Sequence, residues 1–190
     1  MAAKALPSRD ILNQLLRYEP ETGKLFWRER SVDMFADRKL TADQVCRSWN
    51  TKHAGKEAFT ANSNGYRVGV VLGFRCYAHR MVWFLVTGQW PSDQIDHANG
   101  IKSDNRFENL RDVSGHENMR NLPLPADNTS GIIGVGWATH ANKWRAEVSN
   151  GAKRSKHLGY FDCFFKAVLK RKEAEAKLGY HRNHGRPKPQ

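Results

Sequence analysis

The chain has 190 residues, with 31 Lys plus Arg against 19 Asp plus Glu, a formal net charge of +12. That length fits one or two small domains rather than a large enzyme, and 39% hydrophobic residues with six Trp suffice for packed cores and exclude wholesale disorder. No run approaches the ~18 apolar residues of a membrane span, and Met1 to Pro7 lacks the apolar core of a secretory signal, so a soluble, cytoplasmic protein is expected. Three cysteines without a C-x-x-C pair argue against a disulfide framework and against structural zinc. Excess positive charge points to a polyanionic partner, since Lys and Arg set against phosphates release condensed counterions.

Ser8, Asp10, Ile11, Leu12, Leu15 and Leu16 predict a short amphipathic helix with an N-cap. Tyr18 to Gly23 then turns into a strand at Lys24–Arg28. Residues 30–55 are ambiguous and carry no functional assignment. Asn64-Gly65 predicts a hairpin, followed by a β-branched strand over Tyr66–Leu72. Ala78–Thr87 holds Met81, Val82, Phe84, Leu85 and Val86 and stops at Gly88, the pattern of a buried helix.

The next segment carries the candidate chemistry. Two short strands, 94–97 and 109–113, flank a loop opened by Asn99-Gly100, and Ser114 with Glu117 forms a capping-box signature for a helix. Asn118 then falls at the fourth helical position, one turn in, and can face back onto the first strand. Such a unit can gather Asp96, His97 and Asn118. A carboxylate and an amide oxygen are hard ligands that suit Mg²⁺, which keeps waters and phosphate in its other positions. His97, on the same strand but facing the other way, has an ordinary pKa near ~6.5 and can act as general base toward water. Duller readings exist: Asp-His beside Asn-Gly is a common turn composition, and Asn109 can cap a strand end. His116 competes with Asn118 as a ligand, but its helical position favours exposure.

At Asp96-His97, Asn109-Leu110 and Glu117-Asn118, with Asn105-Arg106 and His79-Arg80 flanking, the chain resembles the HNH endonucleases, specifically the phage and intron-encoded homing type with Asn at the last motif position. The resemblance implies a ββα-metal fold, Asp96 and Asn118 as metal ligands, His97 as general base and Asn109 fixing the loop and the histidine's orientation. It implies a divalent cation, Mg²⁺ with Mn²⁺ able to substitute, double-stranded DNA as partner, and contacts to it from His79, Arg80 and Arg106.

Residues 1–126 hold 18 basic and 14 acidic side chains, and residues 127–190 hold 13 and 5, so the last third carries +8 of the net charge. Two prolines at 123 and 125 mark a linker. Beyond it, three strand candidates around 131–137, 143–148 and 153–161 precede a helix at 163–178, with Ala167, Leu169, Ala174 and Leu178 as its inward stripe and Lys166, Lys170, Arg171 and Lys172 outward. A three-stranded sheet backed by one helix has a free face, suited to a DNA groove. Ser130-Gly131, Gly134-Val135, Trp137, Lys143-Trp144-Arg145-Ala146 and His157-Leu158-Gly159-Tyr160-Phe161 resemble the plant APETALA-two (ethylene-response-factor) DNA-binding domain, also found fused to phage HNH nucleases. This implies DNA contacts from Trp137, Lys143, Trp144, Arg145, Arg154 and Lys156, at least one Trp being mainly structural. Gly136 and Phe164-Phe165 depart from that family's usual residues and bear on base preference more than fold.

The expectation is therefore an α+β chain: an N-terminal helix and strand segment over 1–59 as a candidate DNA contact, an HNH nuclease domain over 60–122, a linker at 123–127, a three-stranded antiparallel sheet plus helix over 128–180, and a frayed basic tail over 181–190. It reads as a monomeric, metal-dependent, site-specific DNA endonuclease without a protein partner, in the host-cell cytoplasm if phage-encoded, leaving 5′-phosphate and 3′-hydroxyl ends. The alternative is a non-catalytic DNA-binding regulator with a relic HNH unit.

Overall fold

The computed structural model describes residues 7–149 and 155–187. The fold is mixed α+β with small antiparallel sheets, and the chain divides into two compact units: residues through His97 with Ile101–Asp112, and Ala98–Gly100 with Val113 onward. Among the described residues no helix is long and apolar enough to cross a membrane.

The first unit begins with α1 (Arg9–Leu15), whose N-cap Ser8 side chain accepts from the Ile11 N–H, satisfying one of the free donors of the first turn. The helix passes without a break into β1 (Leu16–Glu19), which pairs with β2 (Lys24–Trp27). The ambiguous stretch holds α2 (Ala42–His53), opened by a complete Thr41–Gln44 capping box. A third strand, β3 (Glu57–Ala58), completes this sheet on β2. The hairpin at Asn64-Gly65 joins β4 (Ala61–Ser63) to β5 (Tyr66–Val71), with both turn residues at positive φ, 54° and 88°, as its mirror-image turn requires. β6 (Phe74–Tyr77) returns along β5 and runs directly into α3 (Ala78–Thr87), which Gly88 ends in the left-handed conformation at φ 79°.

The core of this unit is where α1 and α3 meet the sheets. Leu12, Leu16, Leu25, Val71, Met81 and Val82 are all at most 2% exposed. Fully burying such side chains is worth roughly 1.5–3 kcal/mol each. Against this core lie β7 (Gln94–His97) and β8 (Leu110–Val113), which form a two-stranded sheet and contribute Ile95 and Leu110.

The second unit contains α4 (Gly115–Met119), started by the Ser114–Glu117 capping box, then β9 (Val135–Ala138), β10 (Lys143–Val148), β11 (Lys156–Phe161) and α5 (Phe164–Lys177). The strands form an antiparallel sheet in the order β11-β10-β9. Its core is small: Val135, Ala146 and Ala167, with Trp144, Leu158, Phe161 and Phe164 packed around them. The inward stripe of α5 differs from expectation. Leu169 is 61% exposed, whereas Arg171, expected outward, is 2% exposed. Its guanidinium is held by Glu175 at 2.8 Å and by the Glu147 carbonyl at 2.7 Å, so a paired charge takes the place that the short core leaves to a larger apolar side chain. The tail also differs from expectation. Among the described residues, His181 and Gly185 donate backbone N–H bonds to Arg120 and Leu122, and Leu124 donates to Arg186; these groups are paired along the linker side rather than left to water.

Candidate active site

β7 places Asp96 and His97 at its C-terminal end, both buried, at 8% and 4% exposure. Burying a carboxylate is costly without a partner, and Asp96 has one: the Arg111 guanidinium from β8. The loop between the two strands is organised by its own polar side chains. Asn109 donates from Nδ2 to the Asp104 carbonyl at 2.9 Å, and Asp104 holds Arg106 through two bonds of 2.9 and 2.7 Å.

Asn105, 3% exposed, faces His97, with Oδ1 3.2 Å from Nε2. Its Nδ2 donates to the Ser103 carbonyl at 3.3 Å, which assigns the amide so that Oδ1 accepts from His97. In the neutral ring Nε2 then carries the proton and Nδ1 the lone pair. Asn105 is itself held from outside the loop. Tyr18 donates to its carbonyl at 3.3 Å and accepts from the Phe107 N–H at 2.8 Å. Gly23, at φ 71°, brings the β1–β2 turn so close that a Cβ there would stand 2.6 Å from the Asn105 carbonyl carbon. Only glycine allows this approach.

Around the histidine is a cluster of rings. Tyr66 lies 5.8 Å from His97 and 5.2 Å from His79, His79 is edge-on to His97 at 5.2 Å, and Tyr77 stacks on His79 at 5.4 Å. Burial lowers the His97 pKa below the ordinary imidazole value, against the opposing pull of the Asn105 bond and of Asp96 and Asp104. Burial also pushes His79 down to about 3, with His97 and Arg80 acting in the same direction. Both rings are thus neutral at pH 7, the form a proton acceptor needs.

The other expected site residues take these places. His79 is 7% exposed, beside His97 rather than on the surface. Arg80 donates to the Asp93 carbonyl at 2.9 Å, and Arg106 is spanned by Asp104 and Glu108. Asn118 is the fourth residue of α4, in the second unit. In the sheet of that unit, Trp137 and Trp144 are cross-strand partners on one face, their rings 5.4 Å apart, and Trp144 packs on Phe164 at 4.7 Å. Trp144 therefore belongs to the helix side of the sheet, while Trp137 is half exposed. Arg145 is on the opposite face, paired in register with Gly136 and Tyr160. Lys143 reaches Asp162 at 3.1 Å, and Lys156 is exposed at the start of β11. Arg154 lies outside the described residues.

Arg111 and Tyr66 have no place in the sequence reading of the site, and Asn105 enters it only as a flanking element, without its contact to His97. Asn105 stands in the same polar run as Asn109, and nothing local tells which amide reaches the histidine. Arg111 becomes visible only when β8 is paired with β7.

The donor chemistry suits a small divalent cation. Asp96 offers a buried carboxylate already balanced by Arg111, and in the second unit the Asn118 amide oxygen is a hard donor of the same kind. Among the described residues no group of three His, Cys, Asp or Glu side chains could hold a metal ion. Residues 76–120 match the family model described as HNH endonuclease, and the chain thus contains an HNH endonuclease domain over that segment. The chain is also similar to Protein 3.8 of Escherichia phage T7, 34% identical over 77 residues, which is 40% of this chain. The matched part spans 64% of that phage protein's length. No solved structure matches the chain with significance.

Proposed function

We propose that this chain is a metal-dependent, site-specific DNA endonuclease of the phage or intron homing type. The observation that carries this reading is a buried, neutral histidine beside a buried carboxylate, inside the segment that matches HNH endonucleases. His97 is the general base: its Nδ1 takes the proton of the water that attacks phosphorus, while Asn105 holds Nε2–H and so fixes ring and tautomer. Asn109 is the brace of the loop that carries Asn105. Asp96 and Asn118 would hold Mg²⁺ or Mn²⁺, which when bound stabilises charge on the phosphate oxygens and on the departing 3′ oxygen. The 3′ oxygen leaves, so the ends carry a 5′ phosphate and a 3′ hydroxyl.

DNA affinity is assigned to the basic second unit. The free face of its sheet carries Arg145 and Lys143 and the start of β11 carries Lys156; Arg154 is assigned to the same contact from the sequence, and from the helix side Trp137 contributes its exposed ring with Trp144 as its support. Cations of this kind set the protein's register on phosphates, and Arg can read guanine edges. The protein acts as a monomer on double-stranded DNA in the cytoplasm of its host.

The test is cleavage of supercoiled plasmid bearing the cognate site with Mg²⁺ or Mn²⁺. His97→Ala is expected to lose about 10²–10⁴ in rate, the usual worth of a general base, with DNA binding retained. EDTA is expected to abolish cutting, and the ends should religate without kinase treatment. Equal cutting by the His97→Ala protein sinks the assignment.

A further inference from the structure

We infer that the C-terminal segment Tyr180–Arg186 is a positioning strap for the nuclease loop, acting through Asn183 and Arg186 on Ala98–Gly100, the three residues that directly follow His97. The inference rests on the nuclease reading above and adds to it: cutting depends on the end of the DNA-binding domain even where affinity does not.

All of the groups involved belong to the second unit. Gly179 turns the chain back at the end of α5, at φ 68°, and Tyr180 is fastened by its hydroxyl, which donates to the Ser149 carbonyl at 2.7 Å. The strap then runs beside residues 120–124, bonded at 3.1, 2.8 and 2.8 Å through His181, Gly185 and Leu124. His184, 7% exposed, stacks edge-on with Tyr180 and meets the buried Arg171 guanidinium at 3.5 Å, which ties the strap to the interior of the sheet and helix.

From this fixed base two side chains reach the loop. Asn183 donates from Nδ2 to the Ala98 carbonyl at 2.8 Å. Arg186 donates from Nη1 to both the backbone and the side-chain oxygen of Asn121, at 2.7 and 2.8 Å, and its guanidinium lies against Gly100, where any Cβ would collide with it. Gly100 is at φ 77°, so glycine serves both the turn and the approach of Arg186. The Ala98 carbonyl is one residue from the general base. A loop held there fixes where β7 ends, and misplacement of a reacting group by about 1 Å can cost on the order of 10²-fold in rate.

The experiment uses the full chain with Asn183→Ala, Arg186→Ala and, as a milder change, Arg186→Lys, which keeps charge and loses the fork. Amide exchange at residues 99–101, followed without metal or DNA, is expected to quicken at least tenfold in both alanine variants. Single-turnover cleavage at saturating protein is expected to fall at least tenfold while DNA affinity in EDTA stays within threefold. Asn183→Gln, retaining the amide donor, should recover part of the rate. Wild-type exchange and wild-type rate in the alanine variants overturn the strap, as does a loss of rate that merely follows a loss of affinity. If the wild-type chain cuts no DNA under any metal, the nuclease reading falls, and the exchange measurement still decides whether the strap holds the loop.

Discussion

The two units bury polar groups for opposite purposes. In the first, a broad aliphatic core supports a convergent set: His79, Asp96, His97, Asn105 and Asn109 are all under 9% exposed and lie on or beside β7. On the proposed function their burial tunes chemistry, since a neutral imidazole and a charge-balanced carboxylate are what a hydrolytic site requires. In the second, a core of three small residues is extended by Arg171, Glu175 and His184, also under 9% exposed. There burial holds the fold and fastens the tail. On that reading the same residue types mark a reaction site in one place and a structural brace in the other, and what separates them is whether the partners converge on one reactive atom.

The sharpest break of this contrast is at Arg171. Arg171→Ala leaves the buried Glu175 carboxylate with the half-exposed Lys172, at 2.7 Å, as its counter-charge, and breaking a buried pair costs up to about 3–5 kcal/mol. Thermal unfolding should show the second unit lost first, with DNA affinity lost alongside it. Arg171→Met, which removes the charge but fills the space, paired with Glu175→Gln, should cost much less. An Arg171→Ala protein as stable as wild type would mean that the pair is not a brace.

At the site the corresponding residue is Asn105. Asn105→Ala leaves the Nε2–H of His97 without its acceptor, a penalty of about 1–3 kcal/mol for a buried donor, and frees the ring to turn. Cleavage should fall by roughly tenfold to a hundredfold, with DNA affinity unchanged. Asn105→Asp tests the electrostatic half of the argument. A carboxylate in that place favours the imidazolium, so the rising limb of the pH–rate profile should move to higher pH, whereas the wild-type limb lies below the ordinary histidine value. An unmoved limb in the Asp variant would show that another group controls the profile.

Much of this was legible in the sequence where a signal is local. Ser114 and Glu117 announced α4, and Gly88 the end of α3. The same capping signature at Thr41–Gln44 went unread, because residues 30–55 have too few apolar positions to show a helical period. β1 was hidden because Leu16 continues the apolar pattern of α1, and β6 because its turn uses Leu72 at φ 52°, not a typical turn residue. Arg171 misled because a helical stripe records spacing but not that Glu175, one turn on, and the Glu147 carbonyl would meet it. Asp96, His97 and Asn118 could be named from the strand, loop, strand and helix pattern, whereas Asn109 was named through the resemblance to HNH endonucleases. That Asn105 reaches the histidine depends on Tyr18 and Gly23, more than 80 residues away in sequence, and no local pattern carries such a contact.

The buried His79 gives the first unit an acid sensitivity, as His184, pushed down to about 4 chiefly by burial, gives one to the second. The folded pKa of His79, about 3, is depressed from 6.5, so the unfolded chain binds the extra proton first. Its contribution to stability is complete above pH ~6.5 and is lost as pH falls toward ~3. Thermal melts between pH 7 and pH 4 should show the first unit weakening over that window, and His79→Phe, which keeps a ring for Tyr66 and Tyr77, should flatten the dependence. A His79→Phe protein with the same pH slope would assign the acid sensitivity elsewhere.

The smallest effect expected is at single cations of the second sheet, Lys143 on its free face and Lys156 at the start of β11 opposite Val148, which on the proposed reading add affinity without building a site. Lys156 and Lys143 are exposed or half-buried, and Lys143 shares its charge with Asp162 across 3.1 Å, so Lys156 should count for more. Removing one phosphate contact should reduce the slope of log affinity against log salt by about 1 and weaken binding to all sequences alike. Lys156→Ala should show that slope change, Lys143→Ala a smaller one, and neither should alter the single-turnover rate at saturating protein. A rate loss in either would move part of the reaction onto the second unit and erase the division between a unit that cuts and a unit that holds.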